Sequence, residues 1–329
     1  MKKRSLHILT PGPTHDAGEL AKSHLASARL RLFPAAKAAS DLGYLVTCGA
    51  DIARDVSVVI VGKAMAQYTY YWLKELASSK ARGALVVTDY TDHHIIANSP
   101  LASFYAQSLE LSDAIVVPSG YLRNSLSAAD CAATSIFVVE DPLEFAIRRP
   151  GIRDAEHSRT GALWFGHGSN FEFLLEYLSR WPDSAPTQLH VVSSPEVKLA
   201  LSTGSIRCPR PLDIYFHEWN PKKIIEVAEI ASVSIIPSNL NSHKVFASSN
   251  RLITSLALGL PTAATVLPSY EEFLDFFTSI DSSSIDSLFE TPHEMNEKIY
   301  KFQEEYRQRF HISTAVSNWR ATLESITQS

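Results

Sequence analysis

Short, wholly apolar runs alternate along the chain with segments whose apolar residues recur every three or four positions. In the first half the runs Ser5–Leu9, Tyr44–Cys48, Val56–Val61, Ala84–Val87, Ala114–Val117 and Ile136–Val139 read as strands. Leu25–Leu42, Ala64–Leu76 and Leu101–Leu111 carry helical spacing between them. Pro11 to about His24 is polar with Gly and Pro and reads as a loop. From Glu140 to Arg159 the character turns polar and charged, with Pro142, Pro150 and Gly151. The alternation then restarts. Strands are expected at Ala162–Phe165, Leu189–Val192, Ile214–Phe216 and Val233–Ile236. The turn Gly166–Asn170 opens a helix through Leu178, and further helices are expected at Pro195–Leu201, Pro221–Ala231 and Tyr270–Phe277. Helical Pro292–Phe310 and Ser313–Ile326 close the chain.

Strands apolar on both faces and separated by helices indicate parallel sheets covered on both sides. The expected class is α/β: two Rossmann-like domains in succession, with C-terminal helices. The boundaries read as an N-terminal domain over 1–148, a linker over 149–160, a second domain over 161–310 and a last helix over 311–329. Whether that helix crosses back to the first domain stays open. In open α/β sheets ligands bind beyond the carboxyl ends of the strands. The candidate loops are therefore Asp89–His94, Gly166–Asn170, His217–Asn220 and Pro237–Asn250. No internal repeat or low-complexity tract is visible.

Composition narrows the function classes. The 329 residues carry 30 Lys and Arg against 35 Asp and Glu, a formal net charge of -5, which argues against non-specific nucleic-acid binding. Cys48, Cys131 and Cys208 lie far apart, so no Cys-x-x-Cys motif exists and a reducing cytoplasm is expected. The apolar run near the N-terminus is too short for a signal sequence, and no run is long enough to span a bilayer. Peripheral association with the inner face of a membrane stays open.

Several stretches carry candidate chemistry, each with a plainer alternative. Lys244–Thr262 reads as a loop, a helix capped by Ser248 or Ser249, a stop at Gly259–Pro261 and a buried strand. Ser249, Asn250 and Arg251 at the helix start, with Lys244 upstream, make an anion site; the alternative is an ordinary helix–strand unit. Gly166, His167, Gly168, Ser169 and Asn170 form either a phosphate cradle or a tight turn. It is not a Gly-x-Gly-x-x-Gly fingerprint, because Phe171 occupies the third glycine position, and not a Walker loop, because no Gly-Lys-Ser/Thr follows. Asp89, Asp92, His93 and His94 suit acid/base work, hydroxyl binding or metal ligation, or else form a polar loop. Arg29 and Arg31 could hold an anionic acceptor or lie solvated on a helix face. Trp219 could stack on a base or pack the domain edge.

Together these residues resemble a family. The blocks Ala162–Asn170, Phe216–Trp219, Ile235–Pro237, Lys244–Arg251 and Ala257–Pro261 are similar to the donor domain of GT-B glycosyltransferases of the group 1, family 4-like kind. Arg29–Ala36, Leu42–Val46 and Val86–Asp92 resemble its acceptor domain. The resemblance implies two Rossmann-like domains facing a central cleft, and sugar transfer from a nucleotide-diphosphate sugar to a saccharide or lipid-linked acceptor in cell-surface glycan synthesis. It implies no metal and no cofactor beyond the nucleotide sugar. Gly166–Asn170 would meet the diphosphate, Glu218 and Trp219 the nucleobase, and Lys244 with Ser249, Asn250 and Arg251 the leaving group. Asp89, Asp92 and His93 would act on the acceptor, held by Arg29 and Arg31. The family's Glu-x7-Glu pair is missing, with Phe246 and Thr254 in its places. Its Arg and Lys pair after the first donor-domain strand is missing too. A nucleotide-sugar epimerase of the same architecture and a non-catalytic GT-B binding subunit are the alternatives.

Overall fold

The computed structural model describes residues 4–12, 15–23, 25–96, 99–127, 135–150, 161–203, 206–241, 243–282 and 284–328. Cys131 and most of the expected linker, 151–160, lie outside them. The chain forms two compact units. The first comprises Met1–Pro142, Phe246–Ser248 and Phe310–Ser329; the second comprises Leu143–Val245 and Ser249–Arg309.

The first unit is a parallel six-stranded sheet built from β1 (Ser5–Leu9), β2 (Leu45–Gly49), β3 (Val58–Val61), β4 (Leu85–Asp89), β5 (Ala114–Val117) and β6 (Ser135–Val138). The strand order is β2-β1-β3-β4-β5-β6, so the chain leaves β1 in one direction, to β2, and returns on its other side to β3. Its helices are α1 (Phe33–Asp41), α2 (Thr69–Ala81), α3 (Ala102–Leu111) and α4 (Gly120–Ser127). The expected helix over Leu25–Leu42 begins instead as a π-helical turn, Ala28–Leu32, whose five residues are all buried. The expected loop before it contains a short 3-10 helix, Ala17–Lys22.

The second unit repeats the plan with β7 (Gly161–Phe165), β8 (Gln188–Ser193), β9 (Asp213–Glu218), β10 (Ala231–Ile236), β11 (Thr262–Ala264) and β12 (Thr278–Ser279), in the order β12-β11-β10-β7-β8-β9. Every pairing is parallel, and the chain reverses between β7 and β10. Its helices are α5 (Phe171–Leu178), α6 (Pro195–Thr203), α7 (Pro221–Ile230), α8 (Asn250–Ala257), α9 (Ile285–Glu290) and α10 (Asn296–Tyr306). The last helix, α11 (Ile312–Gln328), belongs to the first unit. There the small residues Ala35, Ala36, Ala38 and Ala39 of α1 share one core with Trp319 and Leu323 of α11. Each fully buried Leu or Val in such a core contributes about 1.5–3 kcal/mol.

The stop after α8 is a Schellman turn. Gly259 N–H donates to the Leu256 carbonyl at 3.0 Å and Leu260 N–H to the Ser255 carbonyl at 3.1 Å, with Gly259 at φ +73°. Among the described residues no helix is long and apolar enough to cross a membrane.

Candidate functional site

In the second unit the loops after β7 and β10 flank the point where the strand order reverses, the place where open parallel sheets leave a crevice. The turn after β7 is fixed from the neighbouring strand. Gly166 N–H donates to the Val192 carbonyl at 3.3 Å, and the Ser193 hydroxyl donates to the Gly166 carbonyl at 2.6 Å. His167 caps the short turn Gly168–Asn170, its Nδ1 accepting from Ser169 N–H at 3.2 Å. Neither glycine is left-handed. A Cβ on Gly166 would sit in ordinary contact, 3.5 Å from the Trp164 ring and 3.7 Å from Arg251 Nη1. A Cβ on Gly168 would meet Glu196 Oε1 at 2.8 Å. Glu196 is a neighbour with no motif of its own to single it out. The Ser194 hydroxyl holds its carboxyl below the usual range, and nearby His167 adds to the effect.

The same contacts bring Arg251, 85 positions further on, to the glycine turn. Arg251 is the second residue of α8, is half-buried, and its Nη1 is buried with no hydrogen-bond partner among the described residues. Tyr270 lies beside it; burial raises the Tyr270 hydroxyl above its ordinary value, and Arg251 opposes that rise. Ser249 occupies the N-cap position but makes no side-chain cap bond, contrary to expectation. Ser248 does not cap either: its hydroxyl donates to Asp141 Oδ2 at 2.6 Å. Lys244 is half-buried in a 3-10 turn, His243–Phe246. Glu218 is exposed at the end of β9, and Trp219, half-buried, packs on the core around Ile224 and Leu258. It therefore packs the domain core, as the plainer reading expected.

In the first unit the candidates divide by burial. Arg31, 2% exposed, grips Asp89, also 2% exposed, through Nε at 3.1 Å and Nη2 at 2.7 Å. Its Nη1 donates to the Val139 carbonyl and to Asp141 Oδ1, the latter at 3.2 Å. Burial raises the Asp89 carboxyl above its usual range against the downward pull of Arg31. With the guanidinium buried among these partners, Arg31 ties β4 to the loop after β6 and is turned into the fold rather than held open for an acceptor. Arg29 is buried as well, and its Nη1 donates to the Ser23 carbonyl at 2.5 Å. His93, 1% exposed, is held in a ring cluster 3.2 Å from the Tyr90 hydroxyl and edge-on to Phe246, with 4.7 Å between ring centroids. Asp89 and His93 are thus buried groups; Asp92 remains half-exposed, 3.4 Å from Lys63 Nζ. Among the described residues no group of three His, Cys, Asp or Glu side chains could hold a metal.

No family model matches the sequence, and no curated protein sequence matches it. Solved structures do match. The crystal structure of Anabaena Alr3699/HepE in complex with UDP-glucose aligns over 98% of this chain and 99% of its own at 12% identity, with a TM-score of 0.62. The same protein with UDP and glucose aligns over 98% and 100% at 12% identity and a TM-score of 0.63. The α,α-trehalose 6-phosphate synthase of Burkholderia multivorans aligns over 90% of this chain and 75% of its own at 12% identity and a TM-score of 0.51. With two successive parallel six-stranded units matched to such structures over nearly its whole length, the chain has the GT-B glycosyltransferase fold.

Proposed function

We propose that the chain is a glycosyltransferase that takes its sugar from a nucleotide-diphosphate donor held at the second unit. The observation that carries this reading is Arg251: its Nη1 lies beside Gly166, at the reversal of the second sheet and on the first turn of α8. A guanidinium and a helix N-terminus together favour a diphosphate. In the reaction the bond from the anomeric carbon to the diphosphate oxygen breaks and the acceptor oxygen bonds to that carbon. The leaving diphosphate gains charge, which Arg251, Lys244 and the α8 dipole offset in place without proton exchange. In this reading Gly166–Asn170 line the diphosphate, and Glu218 and Trp219 adjoin the nucleobase. Asp92 takes the acceptor's proton in this reading, which its partial exposure supports beside buried Asp89 and His93. The likeness to HepE bound to UDP-glucose supports a uridine donor.

The test is calorimetric titration with UDP and UDP-glucose, followed by Arg251→Gln. Losing a charge-assisted hydrogen bond costs about 1.5–3 kcal/mol, so UDP should bind about 10–100 times more weakly. Wild-type affinity in both Arg251→Gln and Lys244→Ala would sink the assignment. Product analysis with donor alone and with a saccharide panel then separates transfer, which needs an acceptor, from epimerisation, which does not.

A further inference from the structure

An open sheet edge can recruit a strand from another molecule, and folded proteins usually block it. Three of the four edges of the two sheets are short or covered. β12 has two residues and β6 has four. β2 is bridged by His15, whose N–H donates to the Cys48 carbonyl at 2.9 Å and whose carbonyl accepts from Cys48 N–H at 3.3 Å. β9 is the exception. Its six residues, Asp213–Glu218, contain no Lys, Arg or Pro and keep an unbroken register with β8. The bonds at its two ends fix which groups point outward. Asp213 N–H donates to the Thr187 carbonyl at 3.0 Å, and Trp219 N–H to the Ser193 carbonyl at 2.8 Å. In a parallel ladder alternate residues bond to the same neighbour, so the N–H and C=O groups of Ile214 and Phe216 face away from β8. Among the described residues no loop backbone bonds to them. The side chains of this edge are left half-covered too. Leu189 and Val191 of β8 are wholly buried, while Ile214 and Phe216 beside them are half-exposed and Tyr215 is 43% exposed.

The order of residues along β9 selects its occupant. Two copies related by a two-fold axis pair antiparallel, and their outward groups meet only if the axis passes beside a residue and not between two. With the axis at Tyr215, Ile214 exchanges both backbone bonds with Phe216 of the second copy, and Phe216 with its Ile214. The two tyrosines meet across the axis at the close, non-hydrogen-bonded position. Asp213 lies opposite the His217 imidazole, which can donate to it, and no like charges face each other. Moving the axis to Ile214 carries the pairing into Pro211, and moving it to Phe216 sets Glu218 against Ile214. We propose that β9 pairs with β9 of a second copy of this chain, antiparallel about Tyr215, so that the second-unit sheets of the two copies become continuous. The pairing is independent of the transferase reading and needs no nucleotide.

Sedimentation velocity of the full chain from about 1 µM to about 300 µM tests it, a span that covers weak pairings. A reversible monomer–dimer equilibrium is expected, with hydrogen exchange at the Ile214 and Phe216 amides slowing as the dimer fills. Tyr215→Lys sets two ammonium groups across the axis and removes the aromatic pair, and should weaken the dimer about tenfold. Ile214→Pro deletes an outward N–H that β8 does not use, and with it one bond at each end of the symmetric pair. It should weaken the dimer by about tenfold or more. Tyr215→Phe should dimerise as the wild type does. Far-ultraviolet dichroism and melting of each variant show whether the fold is kept; where a variant unfolds, exchange at the two wild-type amides decides. A monomer at every concentration overturns the proposal. A dimer whose affinity neither folded variant changes overturns it too, as does a dimer in which both amides exchange at the monomer's rate.

Discussion

Replacing Arg31 by Met separates a strut from a substrate contact. In the native chain the guanidinium compensates Asp89 directly and shares Asp141 with the Ser248 hydroxyl, in a region from which both Arg31 and Asp89 are almost wholly excluded from solvent. Methionine fills similar volume and removes every donor. Asp89 is then a buried carboxylate with no countercharge, which costs about 3–5 kcal/mol. That is a large part of an ordinary domain stability of about 5–15 kcal/mol. At about 2–4 °C per kcal/mol for a unit of this size, the first unit should melt about 6–20 °C lower. The dependence on pH carries the sign. Burial already raises Asp89 above its unfolded value, and without Arg31 it rises further. A carboxyl raised in this way costs stability while it is ionised, and the cost fades as pH falls through the folded value. Urea unfolding with amide exchange read on β4 and β5, at neutral and at acidic pH, should show the deficit shrinking in acid. Pairing the change with Asp89→Leu should recover part of it. A variant as stable as wild type at neutral pH, with normal UDP binding and lost acceptor turnover, would refute the strut and return Arg31 to the acceptor.

Two further outcomes follow from local geometry. Gly259→Ala meets both a left-handed φ of +73° and a Cβ site 2.8 Å from the Arg148 carbonyl oxygen and 2.9 Å from Pro150 N. The conformation alone costs about 1–2 kcal/mol, so thermal melting should show a larger loss than that; a change below about 0.5 kcal/mol contradicts the contact. On β8 and β9, His190 Nδ1 lies 3.1 Å from His217 Nε2. Burial lowers both imidazoles, with His217 adding to the effect on His190, and with Lys223 lowering and Glu226 raising His217. A base lowered in the folded state loses stability as pH falls through its unfolded value, so the chain should weaken below about pH 6.5, and His217→Gln should weaken less. Equal acid sensitivity in the variant would argue against the pair.

The sheets were legible because a strand covered on both faces has no polar positions to confuse the pattern: Val58–Val61 and Ala114–Val117 are wholly buried. β12 was not, since two residues carry no period. The π-helical turn at Ala28–Leu32 was not either, because apolar spacing marks a helix without distinguishing its width. The glycine turn and the start of α8 were each readable as places at a strand end, while their meeting at Arg251 depends on β7 and β10 lying side by side. Charged residues misled for the opposite reason. Arg31 and Asp89 stand 58 positions apart, and only the fold that brings β4 to the Ala28–Leu32 turn makes two polar letters one buried pair.

Phe246 and Thr254, in the places of the family's glutamate pair, are both buried. Phe246 is 8% exposed, stacked at 5.4 Å on Tyr121 and edge-on to His93, and Thr254 is 5% exposed on the inner side of α8. A carboxylate at either position would be stripped of most of its water, at a cost of several kcal/mol unless a cation met it. In this chain both are packing positions. Under the proposed reading, the positive charge facing the donor diphosphate is that of Arg251 and Lys244, and discrimination among sugars rests on side chains other than Phe246 and Thr254.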